Sequence, residues 1–270
     1  MEGRFTLRVR TAMHKAMLTF QYWNYSRYRE RYGKDLSFTE AVRAFPSRNA
    51  LHSYMHHYFH HLGPAGLRDH RRYFSYGQRG FGEDAFHAMW WVLLREFKPR
   101  MCLEIGVYRG QVISLWATVG ALLKIPIDVH GISPFQSVGD AVSRYRHDID
   151  YLADTLASFR HLGLPAPTLV HALSTDATAT EHIDQRLWDL VYVDGNHDYE
   201  VAVADYRRCR DHLRVGGLLV LDDASLNTDF SAPLFSFKGH PGPSRVAKES
   251  AMTEMKFLGA VGHNNIFAKI

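Results

Sequence analysis

The chain has 270 residues, of which 46% are hydrophobic, which is enough for one sizeable core and a smaller appendage. Its formal net charge is +4, but the basic residues are dispersed along the sequence, and this argues against a nucleic-acid-binding protein. Two cysteines provide no disulfide framework, and no stretch reaches about 18 apolar residues, so we expect a cytoplasmic protein that is neither exported nor embedded in a membrane.

Residues 1–80 differ from the rest because they are crowded with Tyr, His and Arg and lack the patterns of buried strands. We expect a helical N-terminal extension that covers the substrate or contacts a second copy of the chain. Within it, His52, His56 and His60 fall on one helical face, a spacing at which histidines can chelate a transition metal. Because no carboxylate or cysteine is adjacent in the sequence, we expect this face to serve packing instead.

Residues 81–270 have the pattern of an α/β domain. An apolar helix, Ala85 to Phe97, leads into a strand at Met101, a turn containing Gly106 and Gly110, and a helix from Gln111 to Leu123. The glycine spacing is not the Gly-x-Gly-x-x-Gly that holds a dinucleotide pyrophosphate, which disfavours a nicotinamide cofactor.

The next two predicted strands are not followed directly by an acidic residue. The segment 127–132 is followed by Ser133 and Pro134, and a helix is predicted from about Gly139 to His161. A strand from Thr168 to Leu173 comes next.

Three aspartates then follow two short apolar runs. Asp194 closes the run 190–193, and Asp222 with Asp223 closes the run 218–221. Such runs read as buried parallel strands whose carboxyl ends open onto a ligand-binding crevice. Converging carboxylates repel each other unless a cation joins them, and oxygen ligands suit Mg²⁺, so we expect a metal there. His197 is close enough in sequence to act as a base beside it, whereas the simpler alternative is that the aspartates cap the following helices.

The C-terminal part completes the pattern. Residues 224–242 are rich in Ser, Phe, Pro and Gly and are expected to form a substrate-recognition loop. A hairpin is predicted around Gly262, His263 and Asn264, where His263 is expected to be a polar turn residue rather than to face the acceptor.

Three segments carry a resemblance to a known family: Leu103–Gly110, Tyr192–Tyr199 and Val215–Asp223. They resemble the class I S-adenosylmethionine-dependent methyltransferases, and more narrowly the metal-dependent O-methyltransferases that include macrolide-sugar and cephalosporin-biosynthesis enzymes. The resemblance covers roughly residues 81–270. It implies a Rossmann-like seven-stranded sheet with an antiparallel last strand, preceded here by the helical extension.

The resemblance also implies roles for particular residues. Glu104, Gly106 and Gly110 would hold the methionine end of S-adenosylmethionine, with Tyr108 in the same motif. Asp194, Asp222 and Asp223 would ligate Mg²⁺, and His197 matches a histidine proposed as the base. The adenine would lie near residues of one further turn: Ser174, Thr175 and Asp176. The position that should carry an acid for the ribose hydroxyls is Ser133, and a neutral hydroxyl replaces only part of that interaction.

Three functions remain open on this reading. The first is Mg²⁺-dependent methylation of a hydroxyl on a small polar acceptor, such as a sugar or a glycosylated natural product. The second is metal-independent N-methylation of an amine or amino-acid-derived acceptor, in which the acids bind a cationic nitrogen. The third, motivated by Ser133, is a cofactor-binding protein of the same fold that transfers no methyl group.

Overall fold

The structure is a computed structural model that describes residues 29–143, 145–233 and 236–270, together with Val9, Ala12, Met13, Ala16 and Phe20. A single seven-stranded sheet organises the described residues, in the order β3-β2-β1-β4-β5-β7-β6. The strands are β1 Met101–Ile105, β2 Asp128–Ser133, β3 Thr168–His171, β4 Trp188–Val193, β5 Leu213–Leu221, β6 Lys256–Val261 and β7 Asn264–Ala268.

The first five strands pair in parallel, and β7 is antiparallel to both β5 and β6. This confirms the predicted Rossmann-like sheet with its antiparallel last strand. The order changes direction at β1, whose neighbours are β2 and β4, so a crevice opens at their carboxyl ends.

Helices cover the sheet. Their bounds are α1 Arg29–Tyr32, α2 Phe38–Ala44, α3 Arg48–His61, α4 Ala65–Ser75, α5 Asp84–Phe97, α6 Gln111–Leu123, α7 Tyr151–His161, α8 Ala177–Asp184, α9 Tyr199–Asp211 and α10 Pro241–Val246. A π-helical segment, Ala247–Ala251, and Met252–Glu254 extend the last of these. No helix in the described part of the chain is long and apolar enough to cross a membrane.

The described part of the predicted extension is helical and shares one hydrophobic core with the sheet. Trp90 of α5 lies at the centre of this core, with its ring centroid 5.1 Å from that of Trp116 and 5.2 Å from that of Tyr192. From α3, Arg48 donates hydrogen bonds to Ser225 Oγ and Asn265 Oδ1. The extension therefore packs directly against the carboxyl end of β5 and the loop that follows it.

One predicted helix is wrong in its first half. The helix expected from about Gly139 begins at Tyr151, where Asp150 caps it by accepting a hydrogen bond from Ala153 N. Upstream, Asp140 Oδ1 accepts from the amides of Val142 and Ser143, and such local side-chain bonds compete with helix formation. The irregular segment carries Asp140 towards the crevice.

Candidate active site

Two of the predicted metal ligands extend neighbouring strands in register. Val193 pairs with Leu221, so Asp194 and Asp222 come next on β4 and β5. The Asp194 amide donates to Ile105 O and the Asp222 amide donates to Val193 O, at 2.9 and 3.1 Å. The structure therefore places the two carboxyl groups side by side, and Asp222 adds to the effect of burial in raising the pKa of Asp194.

Asp223 joins them through a strained backbone. Its φ of 51° is unusual for a residue with a side chain. The His240 amide fixes this conformation by donating to Asp223 O at 2.8 Å, and Gly239 packs so tightly that a Cβ there would lie 1.9 Å from the same oxygen. Strain of this kind persists where the surroundings impose it, and here it directs the Asp223 side chain into the crevice.

Three histidines surround the acids. His197 Nε2 lies 3.0 Å from Asp223 Oδ2, and His240 Nε2 lies 3.7 Å from the same oxygen. His263 Nε2 lies 3.3 Å from Asp222 Oδ1 and 3.8 Å from Asp223 Oδ1. Asp223 therefore stands between two groups of potential metal ligands, one on each carboxylate oxygen.

The structure corrects the expectation for His263 and adds His240, which sequence reasoning missed. His263 is a turn residue of the β6–β7 hairpin, but it is buried against Asp222 rather than exposed. Antiparallel pairing places Asn265 opposite Leu221, so the turn just before Asn265 comes back over the acids that follow β5. The predicted hairpin places His263 in the turn, but only the register of β7 against β5 places that turn over the acids. Nothing in the sequence pattern marks His240 in the same way.

The ionisable groups in the crevice shift one another's pKa values. Burial raises the pKa of Asp194 well above its usual range, and the nearby Asp222 and Asp223 raise it further. Burial disfavours the charged form of His263, but Asp222 and Asp223 outweigh this and raise its pKa to about 10. Burial also opposes ionisation of Asp222, yet its pKa is lowered because His263 is adjacent. The acids therefore sit in a pocket that favours positive charge.

His197 is held at both ring nitrogens. Its Nδ1 lies 2.7 Å from Asp140 Oδ2, which also accepts the backbone amide of His197 at 2.9 Å. Burial lowers the tendency of the ring to be charged, but the hydrogen bonds to Asp223 and Asp140 outweigh it, so the pKa of His197 is raised. Asp140 was not among the predicted residues, because the segment that contains it was expected to be helical.

The predicted methionine-end residues lie at the carboxyl end of β1. Glu104 is buried, and burial raises its pKa to about 8, although the Ile113 amide opposes the shift. Its Oε2 has no hydrogen-bond partner among the described residues. A buried orphan oxygen needs a donor, and the ammonium group of S-adenosylmethionine fits that need. Tyr108 is half-buried nearby, with its ring 5.3 Å from that of Tyr151.

The two glycines of this motif serve packing inside the protein. A Cβ on Gly106, whose φ is 101°, would lie 1.9 Å from Asp194 O. A Cβ on Gly110, the N-cap of α6, would lie 2.8 Å from Thr155 Cγ2. The resemblance implied that these glycines help to hold the methionine end of the cofactor. In the structure, the space beside each is filled by another segment of the chain.

The other predicted cofactor residues lie on the same edge. Ser133 ends β2 and is buried, with its Oγ 3.4 Å from the Phe135 amide. Ser174, in the turn after β3, donates to Asp205 Oδ2 at 3.0 Å, while Asp176 Oδ2 accepts from the Leu173 amide at 2.8 Å. Thr175 is exposed between them.

Comparison with known proteins supports the interpretation of the fold. Residues 103–224 match the family model described as a methyltransferase domain. The SAH-bound methyltransferase PaMTH1 of Podospora anserina is 14% identical, with a TM-score of 0.53 over 77% of this chain and 89% of that one. An O-methyltransferase from Bacillus cereus in complex with SAH is 13% identical, with a TM-score of 0.53 over 78% of this chain and 95% of that one. No curated protein matches the sequence.

Residues 103–224 therefore resemble a methyltransferase domain, and the described part of the chain has the fold of the class I methyltransferases.

Proposed function

We propose that this enzyme is a Mg²⁺-dependent O-methyltransferase that acts on a hydroxyl of a small polar acceptor, such as a sugar or a glycosylated natural product. The observation that carries the proposal is that Asp223 lies within ligand distance of both Asp222 and His197, with Asp194 beside Asp222 at the end of the neighbouring strand. Asp194 and Asp223 would also be available to an acceptor that enters between the loop after β4 and the loop after β5.

The donor set fits a divalent cation. Asp222 Oδ1 is buried and makes no hydrogen bond of good geometry within the described residues. Burial raises the pKa of Asp194, and the carboxylates of Asp222 and Asp223 raise it further. When bound, a cation would lower the pKa of an acceptor hydroxyl by stabilising its oxyanion. Carboxylate oxygens suit Mg²⁺, whereas the adjacent imidazoles of His240 and His263 would also accept Mn²⁺ or Zn²⁺.

His197 is proposed as the general base. Methyl transfer to oxygen requires removal of the hydroxyl proton, and the neutral imidazole of His197 can accept it. The raised pKa of His197 makes it a stronger base but moves the pH at which the ring becomes neutral upwards. Asp140 fixes the ring orientation through Nδ1, which leaves Nε2 facing the acids. We propose Asp140 as a positioning residue, since it reaches the reacting atoms only through His197.

The test compares metal dependence with a matched substitution. Metal-stripped enzyme should lose turnover of a hydroxyl acceptor and recover it with Mg²⁺, and Asp222→Asn and Asp223→Asn should each abolish that recovery. Asp198→Asn is the control, because Asp198 lies in the same loop as His197 but is exposed and makes no cap with its side chain. Titrating Mn²⁺ and Zn²⁺ in parallel identifies the preferred ion. Full turnover in the presence of a chelator would refute the metal requirement.

One observation favours N-methylation as a second candidate. Asp222 already has a cationic partner in His263, so these acids can hold a positive nitrogen without an ion. An amine acceptor would then bind the acids directly. Chelator-resistant transfer to an amine, combined with loss of transfer in Asp223→Asn, would support this candidate over the first.

A third candidate is a protein of this fold that transfers no methyl group, because Ser133 stands where an acid is expected to hold the ribose of the cofactor. Calorimetry with S-adenosylmethionine and with its demethylated product measures binding at the cofactor site directly. Micromolar binding of either compound supports the enzyme, and no binding at millimolar concentration would indicate a protein that keeps the fold alone.

A further inference from the structure

A second cluster of metal-binding side chains lies in the helical extension, away from the crevice. His56 and His60 are one turn apart on α3, with ring centroids 4.5 Å apart. Asp84, the first residue of α5, faces them, and its Oδ2 lies 2.9 Å from His60 Nε2. The ligand atoms of the three residues all lie within 4.8 Å of one another.

The sequence alone argued against a metal here because no carboxylate is adjacent to the histidines. The fold supplies the missing carboxylate, because Asp84 contacts His60 although the two residues are 24 positions apart in the chain. We propose that His56, His60 and Asp84 form a structural site for a transition metal of the zinc type, which fastens α3 to the start of α5.

The geometry and accessibility suit such an ion. In a tetrahedral zinc site, ligand atoms are about 3.4 Å apart, so the cluster needs only small side-chain movements to close. His56 is buried, whereas the side chains of His60 and Asp84 are 22% and 19% exposed, which leaves a route for the ion. Two imidazoles and one carboxylate are ligands that Zn²⁺ accepts, with water filling the remaining position.

Arg71 is the feature that needs explanation, because it brings a positive charge to the site. Its Nε lies 3.1 Å from Asp84 Oδ1, the oxygen that faces away from His60. A ligating carboxylate is commonly held in this way by a hydrogen bond to its other oxygen. Arg71 orients Asp84 through this contact. Burial opposes ionisation of Asp84, but the hydrogen bond with His60 and then the charge of Arg71 lower its pKa.

The site has a structural consequence. Glu83, next to Asp84, accepts from His52 at 3.0 Å and also bonds Ser236 in the loop after β5. An ion that fixes Asp84 would therefore also steady the contact between the extension and that loop. This places its effect on stability rather than on the chemistry of methyl transfer.

The experiment uses the full chain without a histidine tag, in an Asp222→Asn/Asp223→Asn background that weakens metal binding in the crevice. We expect Zn²⁺ to raise Tm on the order of 5 °C relative to chelator-treated protein. Co²⁺ should give the absorption of a tetrahedral site. His60→Gln should abolish both responses and weaken Zn²⁺ binding by at least about 100-fold in calorimetry.

His61→Gln is the matched control, because His61 is the next residue on the same helix and lies outside the three ligand clusters found among the described residues. It should retain the zinc response. Equal responses of the two variants, or no zinc response in the parent background, would overturn the proposal. A zinc-independent loss of stability in His60→Gln alone would assign His60 and Asp84 to an ordinary ion pair. The outcome does not depend on whether the enzyme methylates a hydroxyl or an amine.

Discussion

The substitution Gly106→Ala tests how the fold places the acids. A Cβ at this position would lie 1.9 Å from Asp194 O, so the backbone after β4 would have to move by about 1.5 Å to reach an ordinary 3.4 Å contact. That movement breaks the hydrogen bond from the Asp194 amide to Ile105 O and weakens the adjacent one from the Asp222 amide to Val193 O. Each of these hydrogen bonds contributes about 1 kcal/mol. The positive φ adds about 1–2 kcal/mol. We expect a loss of about 3–4 kcal/mol in the free energy of unfolding.

The assay pairs urea unfolding with turnover. Gly216→Ala is the control, since Gly216 also has a positive φ but a Cβ there meets nothing within 4 Å. It should cost only about 1 kcal/mol, because the backbone strain is partly offset by reduced freedom in the unfolded chain. Gly106→Ala should also lower turnover by about 100-fold, since it displaces Asp194. If both variants are equally stable and Gly106→Ala keeps its turnover, the inferred close approach of β1 and β4 is wrong.

Two further predictions concern ionisable groups. Asp140→Asn should lower kcat by about 10–100-fold with cofactor binding kept. It should also move the acidic limb of the pH profile to lower pH, because the pKa of the base His197 falls when Asp140 no longer raises it. Asp148→Asn, exposed in the same segment, should change neither. Glu104→Gln should weaken binding of S-adenosylmethionine in calorimetry yet stabilise the free protein at pH 9. Burial raises the pKa of the Glu104 carboxyl group from 4.5 to about 8, so this group stays protonated to a higher pH in the folded protein than in the unfolded chain. The free energy of unfolding of the wild type therefore falls between about pH 5 and 8, by on the order of 4 kcal/mol or less. Unfolding curves of wild type and Glu104→Gln that stay parallel from pH 5 to 9 would show that Glu104 is not strained by burial.

The sequence by itself determined the sheet and three of the acids at its edge. Buried parallel strands appear in a sequence as short apolar runs, and the first charged residue after such a run indicates where the strand ends. Asp194 and Asp222 could therefore be assigned to the ends of two strands without a structure. The C-terminal hairpin was equally readable from its alternation of apolar strands and a polar turn. These features are local in the chain, and for that reason a pattern of neighbouring residues is sufficient to predict them.

Only the tertiary structure decided which distant side chains join those acids. His240 and His263 reach Asp222 and Asp223 from a loop and a hairpin turn, and Asp140 reaches His197 from a segment that resembles a helix in sequence. Asp84 completes the histidine pair of α3 in the same way. Such contacts depend on packing between elements that are far apart in the chain, and the burial that shifts their pKa values exists only once the core has formed.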